Sequence, residues 1–362
     1  MKRKKVGGLR KERKGLMRIV DLRSDTVTEP TLKMRQAMKE AEVGDDGFGE
    51  DPTTNRLEKI AAEKVGKEDA LFVCSGTMGN LIAIMVHTKP GDGVICDRKA
   101  HINTMVSGNT AALAGVTTCP LNVDEFGRFD MEELESSINL DDIRFSKTSL
   151  IIIENTNNLA GGAVITPDET SKIIKIAKKN GLHLHIDGAR IFNSAVAQGV
   201  EVSELTKGCD SIMFCISKGL ASPVGSIIAG TKKFIEEARC KRKMLGGGMR
   251  QTGILAACGI VSLEEMIDRL LDDHENARYL AEGLARIDGF NVNLETVQTN
   301  IVCFKFRLPK LNCKEFVESL SPKGILAVYF KGDDGRMVTH KDLNRSDIIY
   351  ALEVITNVVS GC

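Results

Sequence analysis

An α/β fold with a mainly parallel sheet covered on both faces is what this sequence predicts, and three observations carry the expectation. From Ile19 to about Met266, short β-rich runs alternate with helical stretches. A glycine-rich turn, Ser75-Gly76-Thr77-Met78-Gly79-Asn80, follows one such run and opens a helix, the join found at ligand edges of open α/β sheets. The chain has 362 residues, enough for a core that divides into two domains.

Taken in order, the first residues are basic and almost free of acids: Lys2, Arg3, Lys4, Lys5, Arg10, Lys11, Arg13 and Lys14. Residues 1–16 therefore read as a disordered extension, with Met17 opening the structured part. Candidate strands are Ala70 to Cys74, Gly93 to Cys96, Thr117 to Pro120, Leu150 to Glu154, Leu182 to Asp187, Ser211 to Ile216 and Gly225 to Ala229. Helices separate most of them. Thr166 before Pro167, and Gly181 after a lysine-rich last turn, mark one helix start and stop. After a long helical region from Ile254 to Arg286 comes a smaller α+β part, with strands at Asn300 to Phe306, Ile325 to Phe330 and Arg336 to His340. Asn344 and Asp347 open the closing helix, Ile348 to Val359. The expected division is an N-terminal arm and large domain over 17–265 and a small domain over 266–362.

Composition narrows the function classes. Hydrophobic residues at 42% against charged residues at 27% are ordinary for a globular chain. The 49 Lys and Arg cancel the 49 Asp and Glu, so neither a nucleic acid nor an anionic membrane is expected as principal partner. A small-molecule enzyme fits better. Ten cysteines form no Cys-x-x-Cys pair, which points to free thiols in a reducing, cytoplasmic compartment and away from a zinc module or disulfide scaffold. No apolar run approaches membrane-spanning length.

Two segments carry the chemistry: His185-Ile186-Asp187-Gly188-Ala189-Arg190 and Ser217-Lys218-Gly219-Leu220, each closing a candidate buried strand. The common fate of such residues is a strand-end turn and a solvated lysine. An acid and a lysine placed this way also meet the needs of pyridoxal 5'-phosphate (PLP): the amine forms a Schiff base with the aldehyde, and the carboxylate keeps the pyridine nitrogen protonated. Alternation along Leu182 to Asp187 puts His183, His185 and Asp187 on one face, with the acid at the carboxyl end. Ser75, Gly76 and Thr77 would then seat the phosphate on a helix N-terminus.

Several motifs in order resemble the L-threonine aldolase family: Asp21-Leu22-Arg23-Ser24-Asp25-Thr26-Val27-Thr28, Gly47-Phe48-Gly49-Glu50-Asp51-Pro52, Ser75-Gly76-Thr77, Glu154-Asn155-Thr156, the Asp187 and Lys218 segments, Lys243-Met244-Leu245-Gly246-Gly247-Gly248-Met249-Arg250-Gln251 and Arg336-Met337-Val338-Thr339-His340. The resemblance runs from about Val20 to the C-terminus. It implies a fold-type I PLP-dependent transferase-like architecture, a seven-stranded sheet in the large domain, and a site shared across a homodimer, usually within a homotetramer. It implies cleavage of L-threonine or L-allo-threonine to glycine and acetaldehyde. Lys218 would carry the cofactor, Asp187 pair with its ring nitrogen and His101 stack on the ring. Arg190, Arg336 and Ser24 would hold the substrate carboxylate, and Arg242 would reach a partner's cofactor phosphate. The chain departs from the family at Asn157, where a histidine near the substrate β-hydroxyl is expected, and at Phe48, where tyrosine is common. An amide can hydrogen-bond that hydroxyl but cannot act as its base. That departure keeps a racemase, a β-eliminating lyase or a transaldolase on the same scaffold in play, with a non-catalytic scaffold as a further alternative.

Overall fold

The computed structural model describes residues 18–361, so the basic stretch before Met17 and Met17 itself lie outside the described residues. Seven strands form one sheet: β1 (Asp69–Val73), β2 (Gly93–Asp97), β3 (Thr117–Leu121), β4 (Thr148–Glu154), β5 (His183–Asp187), β6 (Ser211–Cys215) and β7 (Ser226–Gly230). Their order is β1-β7-β6-β5-β4-β2-β3, and β7 alone runs antiparallel to its neighbours. All the other strands therefore end at the same edge.

Burial on both faces explains the near-continuous apolar runs, as in Leu150, Ile151, Ile152 and Ile153 of β4, each at most 2% exposed. Ile151 and Ile153 point into the larger core with helices α1 (Leu32–Glu40), α2 (Pro52–Lys64), α4 (Pro167–Lys179) and α6 (Gly253–Glu265). On the opposite face, Leu71 and Val73 pack against α3 (Gly76–His87) and α5 (Lys232–Met244). The start of α4 follows its sequence signals: Thr166 Oγ1 accepts from Glu169 N at 3.3 Å, Glu169 Oε2 accepts from Thr166 N at 2.7 Å, and Pro167 fills the first position.

The expected helical region from Ile254 to Arg286 is two helices, α6 and α7 (Leu270–Leu284). The expected strand from Ile325 to Phe330 is also split. Val328–Tyr329 joins β9 (Asp334–Val338), which lies antiparallel to β8 (Ile301–Leu308). Ile325–Leu326 instead pairs in parallel with Val20–Asp21. Val20 and Leu22 are fully buried in this second core with Phe306, Phe316 and Leu280, so the chain's N-terminal strand is anchored among residues some 300 positions away. Among the described residues no helix is long and apolar enough to cross a membrane.

Candidate active site

The common edge of the parallel strands gathers the chemistry. Glu154 and Asp187 end β4 and β5 and face each other in register, and Asp187 is in register with Met213 of β6. Lys218 follows β6 by three residues, and α3 starts three residues beyond β1. At that start Ser75 caps the helix, its hydroxyl accepting from Met78 N at 3.2 Å. The first-turn amides of Gly76 and Thr77 have no acceptor within the helix and are offered outward. Gly76 is required by closeness: a Cβ there would lie 2.9 Å from Cys215 Sγ and 3.1 Å from Met213 Cε. The helix N-terminus thus sits directly against β6.

Asp187 is buried and doubly held, Oδ2 accepting from Asn80 Nδ2 at 2.7 Å and Oδ1 from Ala189 N at 3.2 Å. Lys218 is half-buried. Its carbonyl is fixed by the Thr28 hydroxyl at 3.0 Å and by Ala221 N at 2.9 Å, and among the described residues its amine has no hydrogen-bond or ion-pair partner. The His101 backbone N–H donates to the Glu154 carboxyl. Burial pushes the His101 imidazole down, Asp187 pulls it up, and Lys218 and Arg190 lower it further; the net direction is down, favouring the neutral ring. Burial, reinforced by Asp187, pushes the Glu154 carboxyl up to about 8.

Sequence reasoning treated the two arginines alike, and the structure separates them. Arg190 is buried, its fork closed on Asp25: Nε to Oδ2 and Nη2 to Oδ1, both 2.7 Å. Burial alone would raise the Asp25 carboxyl; Arg190, Lys218 and a bond from Asn300 Nδ2 at 3.2 Å overcome it and hold Asp25 well below the usual carboxylate range. Only Arg190 Nη1 is directed elsewhere, to Asn158 Oδ1 at 3.4 Å. Arg336, from β9, reaches the same Asn158 oxygen with Nη1 at 2.7 Å and leaves Nε buried with no partner. Burial and the nearby Arg190 both lower its proton affinity. Ser24 lies beside this group, its hydroxyl donating to Asp25 Oδ1 at 3.4 Å and accepting from Thr26.

Asn157 and Arg242 both spend their polar groups within the fold. Asn157 does not face the arginines. It is 2% exposed, its amide donates to Asp97 at 3.1 Å, and its oxygen caps a turn by accepting from Leu159 N at 3.2 Å and Ala160 N at 3.0 Å. A neighbouring residue that the sequence did not single out, Asn158, occupies the position between Arg190 and Arg336. Arg242 does not reach outward either: its guanidinium is buried, donating to Asp46 Oδ2 at 2.6 Å and to the Phe72 carbonyl at 2.8 Å. Phe48 is 78% exposed and makes no part of the cluster.

An open sheet with a free lysine, a held acid and a helix N-terminus at one edge, flanked by an arginine with an unused donor, is the framework of a PLP enzyme acting on amino acids, and these residues fit that cofactor. The chain belongs to the beta-eliminating lyase family, whose model matches residues 21–307. It is 44% identical over 346 residues to probable low-specificity L-threonine aldolase 2 of Arabidopsis thaliana, covering 94% of this chain and 98% of that one. It is 40% identical over 330 residues to the low specificity L-threonine aldolase of Escherichia coli K12, covering 91% and 96%. Among solved structures, a threonine aldolase of Leishmania major superposes with a TM-score of 0.79 at 20% identity, covering 94% of this chain and 99% of that one, a likeness of fold.

Proposed function

We propose that this chain is a low-specificity L-threonine aldolase, cleaving L-threonine and L-allo-threonine to glycine and acetaldehyde with PLP. The observation that carries the reading is the unpartnered Lys218 amine and the held Asp187 at one edge of the large sheet, with Arg336 of the small sheet reaching the same Asn158 oxygen as Arg190 and leaving its Nε unused. Lys218, the amides of Gly76 and Thr77, and Asp187 are the residues that would hold PLP, which when bound supplies the sink for the electron pair of the broken Cα–Cβ bond.

The chain's own residues supply the rest. Arg336 offers its buried donor to the substrate carboxylate, displacing Asn158; Arg190, clamped by Asp25, offers Nη1 beside it, and Ser24 borders the pair. Fixing the carboxylate orients the substituents at Cα. His101, whose proton affinity burial and the neighbouring Lys218 and Arg190 lower, would stack on the bound cofactor and is the group able to accept the β-hydroxyl proton, the role that Asn157 leaves vacant.

The minimum active unit in this reading is a homodimer, whose contact would cover the exposed Phe48, Met244 and Ile254, with a homotetramer above it. In this reading 17–265 comprises an N-terminal arm and the large domain and 266–362 the small one, with Val20 and Leu22 of the arm packed into the small domain's core. The free thiols of the described cysteines suit a reducing compartment, the cytoplasm.

The test is the purified protein with added PLP, assayed on threonine, allo-threonine, phenylserine, serine and alanine, with borohydride reduction and peptide mapping in parallel. Glycine and acetaldehyde in equal amounts from both threonine diastereomers, with a pyridoxyl label on Lys218, are expected. Racemised alanine or pyruvate from serine, with neither diastereomer cleaved, overturns the aldolase reading; a label elsewhere overturns the cofactor site.

A further inference from the structure

We propose that Asn80, His185, Ser211 and His87 form a one-way chain of buried hydrogen-bond donors that positions Asp187 against the cofactor ring nitrogen. The inference rests on the PLP reading above. It starts from four contacts in series: Asn80 Nδ2 to Asp187 Oδ2 at 2.7 Å, Asn80 Oδ1 with His185 Nε2 at 3.0 Å, His185 Nδ1 with Ser211 Oγ at 2.8 Å, and Ser211 Oγ with His87 Nε2 at 2.7 Å. Asn80 is 2% exposed, and His185 and Ser211 are fully buried, so the bonds from Asp187 to Ser211 cannot be exchanged for water without opening the core, and the half-buried His87 closes the outer end.

The polarity of the chain follows from elementary pairing rules. A carboxylate only accepts, so Asn80 turns its NH₂ to Asp187 and its carbonyl oxygen to His185. That oxygen needs a donor, so His185 carries its proton on Nε2. Burial pushes the His185 imidazole down to about 3, leaving a neutral ring whose Nδ1 is a bare acceptor. Ser211 must therefore donate to Nδ1, and its oxygen takes the Nε2–H of His87. Every donor points toward Asp187, and reversing any link sets two hydrogens or two lone pairs face to face. At the far end His87 stacks on Phe234, with centroids 4.7 Å apart, and lies 4.5 Å from the His183 ring, which pairs with Asp210.

Sequence position gives the chain its use. Asn80 lies four residues after Gly76 in α3, one turn along the same face. One rigid helix thus presents its first-turn amides to the phosphate and, a turn later, the amide that locks the acid serving the ring nitrogen. Asn80 and His185 are positioning residues: they act through Asp187 and touch no substrate.

The test uses the holoenzyme with PLP labelled with ¹⁵N at the ring nitrogen. In wild type the ¹⁵N shift should report a protonated ring. In Asn80→Ala the resonance should move toward the unprotonated position, kcat should fall about tenfold to a hundredfold, as for other loosened supporting contacts, and KM for threonine should change little. His185→Leu should act in the same direction. His185→Gln, whose amide can donate to Asn80 and accept from Ser211, should recover most of the loss, a pattern that lost packing alone would not give. Should Asn80→Ala fail to fold, the His185→Leu and His185→Gln pair decides alone. An unchanged ¹⁵N shift and kcat in the folded variants, with a protonated ring in wild type, overturns the donor chain and leaves the cofactor reading standing. A wild-type protein that takes up no PLP on Lys218 overturns the cofactor reading itself and this inference with it.

Discussion

Replacing Arg336 with alanine separates the two arginines. In the folded protein its Nη1 bonds Asn158 Oδ1 at 2.7 Å, Nη2 makes only a long contact to the Arg23 carbonyl at 3.4 Å, and Nε is buried without a partner. Little native structure hangs on this side chain, so its removal should leave Tm and PLP affinity close to wild type. What is lost is a charge-assisted bond to the substrate carboxylate, worth about 1.5–3 kcal/mol, or roughly ten- to 150-fold in kcat/KM. Arg336→Lys should recover little of this, because a point charge cannot reproduce the planar fork. Arg190→Ala is the contrast. It strands Asp25, fully buried, with only the Asn300 amide and a long contact from the Ser24 hydroxyl as side-chain donors, and breaking such a pair costs about 3–5 kcal/mol of stability. Steady-state kinetics on threonine and phenylserine, with thermal melts and PLP titrations of both variants, make the comparison. Unchanged kinetics in Arg336→Ala on both substrates, or loss of PLP binding together with activity, would refute the assignment.

Asn157→His, which the family pattern alone would favour, should lower Tm without raising cleavage or altering the ratio of threonine to allo-threonine turnover. The larger ring must displace three hydrogen bonds and meet Gly127, where even a Cβ would come within 2.6 Å of Asn157 Nδ2. A gain in either diastereomer, measured by acetaldehyde release, would put residue 157 at the hydroxyl after all. Acid should destabilise the fold well above the carboxylate range. Burial, with the neighbouring His183 and His185, pushes His87 down to about 3, and burial does the same to His185. The unfolded chain therefore binds protons below about pH 6.5 that the folded chain refuses, so stability is full above that pH and falls toward pH 3, by on the order of 5 kcal/mol per histidine at full titration. Urea melts at stepped pH check this; a midpoint flat from pH 6.5 to 4 would show that these rings are not buried neutral.

The residues legible in the sequence are those tied to strand ends. Asp187, Lys218 and the Ser75 turn stand where a β-rich run stops, and strand ends are visible in composition and periodicity. Asn80 and Asn158 carry no such mark. Asn80 is a helical amide whose partners stand 105 and 107 residues away, so only the topology reveals that it faces Asp187. Asp25 was legible as part of a motif but not as the clamp on Arg190, 165 residues on. Arg242 entered through the family resemblance; in the chain itself Ile235, Ala238 and Arg242 recur at helical spacing as one buried stripe, which is the signal that it turns inward.

The charges of the site explain why one arginine is closed and the other open. Arg190 and Arg336 lie side by side, Asp25 is closed on Arg190 alone, and burial with Asp187 pushes the Glu154 carboxyl up to about 8. Had Arg190 lacked Asp25, two forks would compete for the substrate, and the pocket would carry a second unbalanced cation buried beside the first, a costly arrangement that already lowers the proton affinity of Arg336. The protein instead neutralises Arg190 within the fold and lets Asn158, a neutral oxygen, occupy Arg336 until a stronger acceptor arrives. An α-carboxylate is that acceptor, and it brings Arg336 the charged partner that the fold gives to Arg190 but not to it.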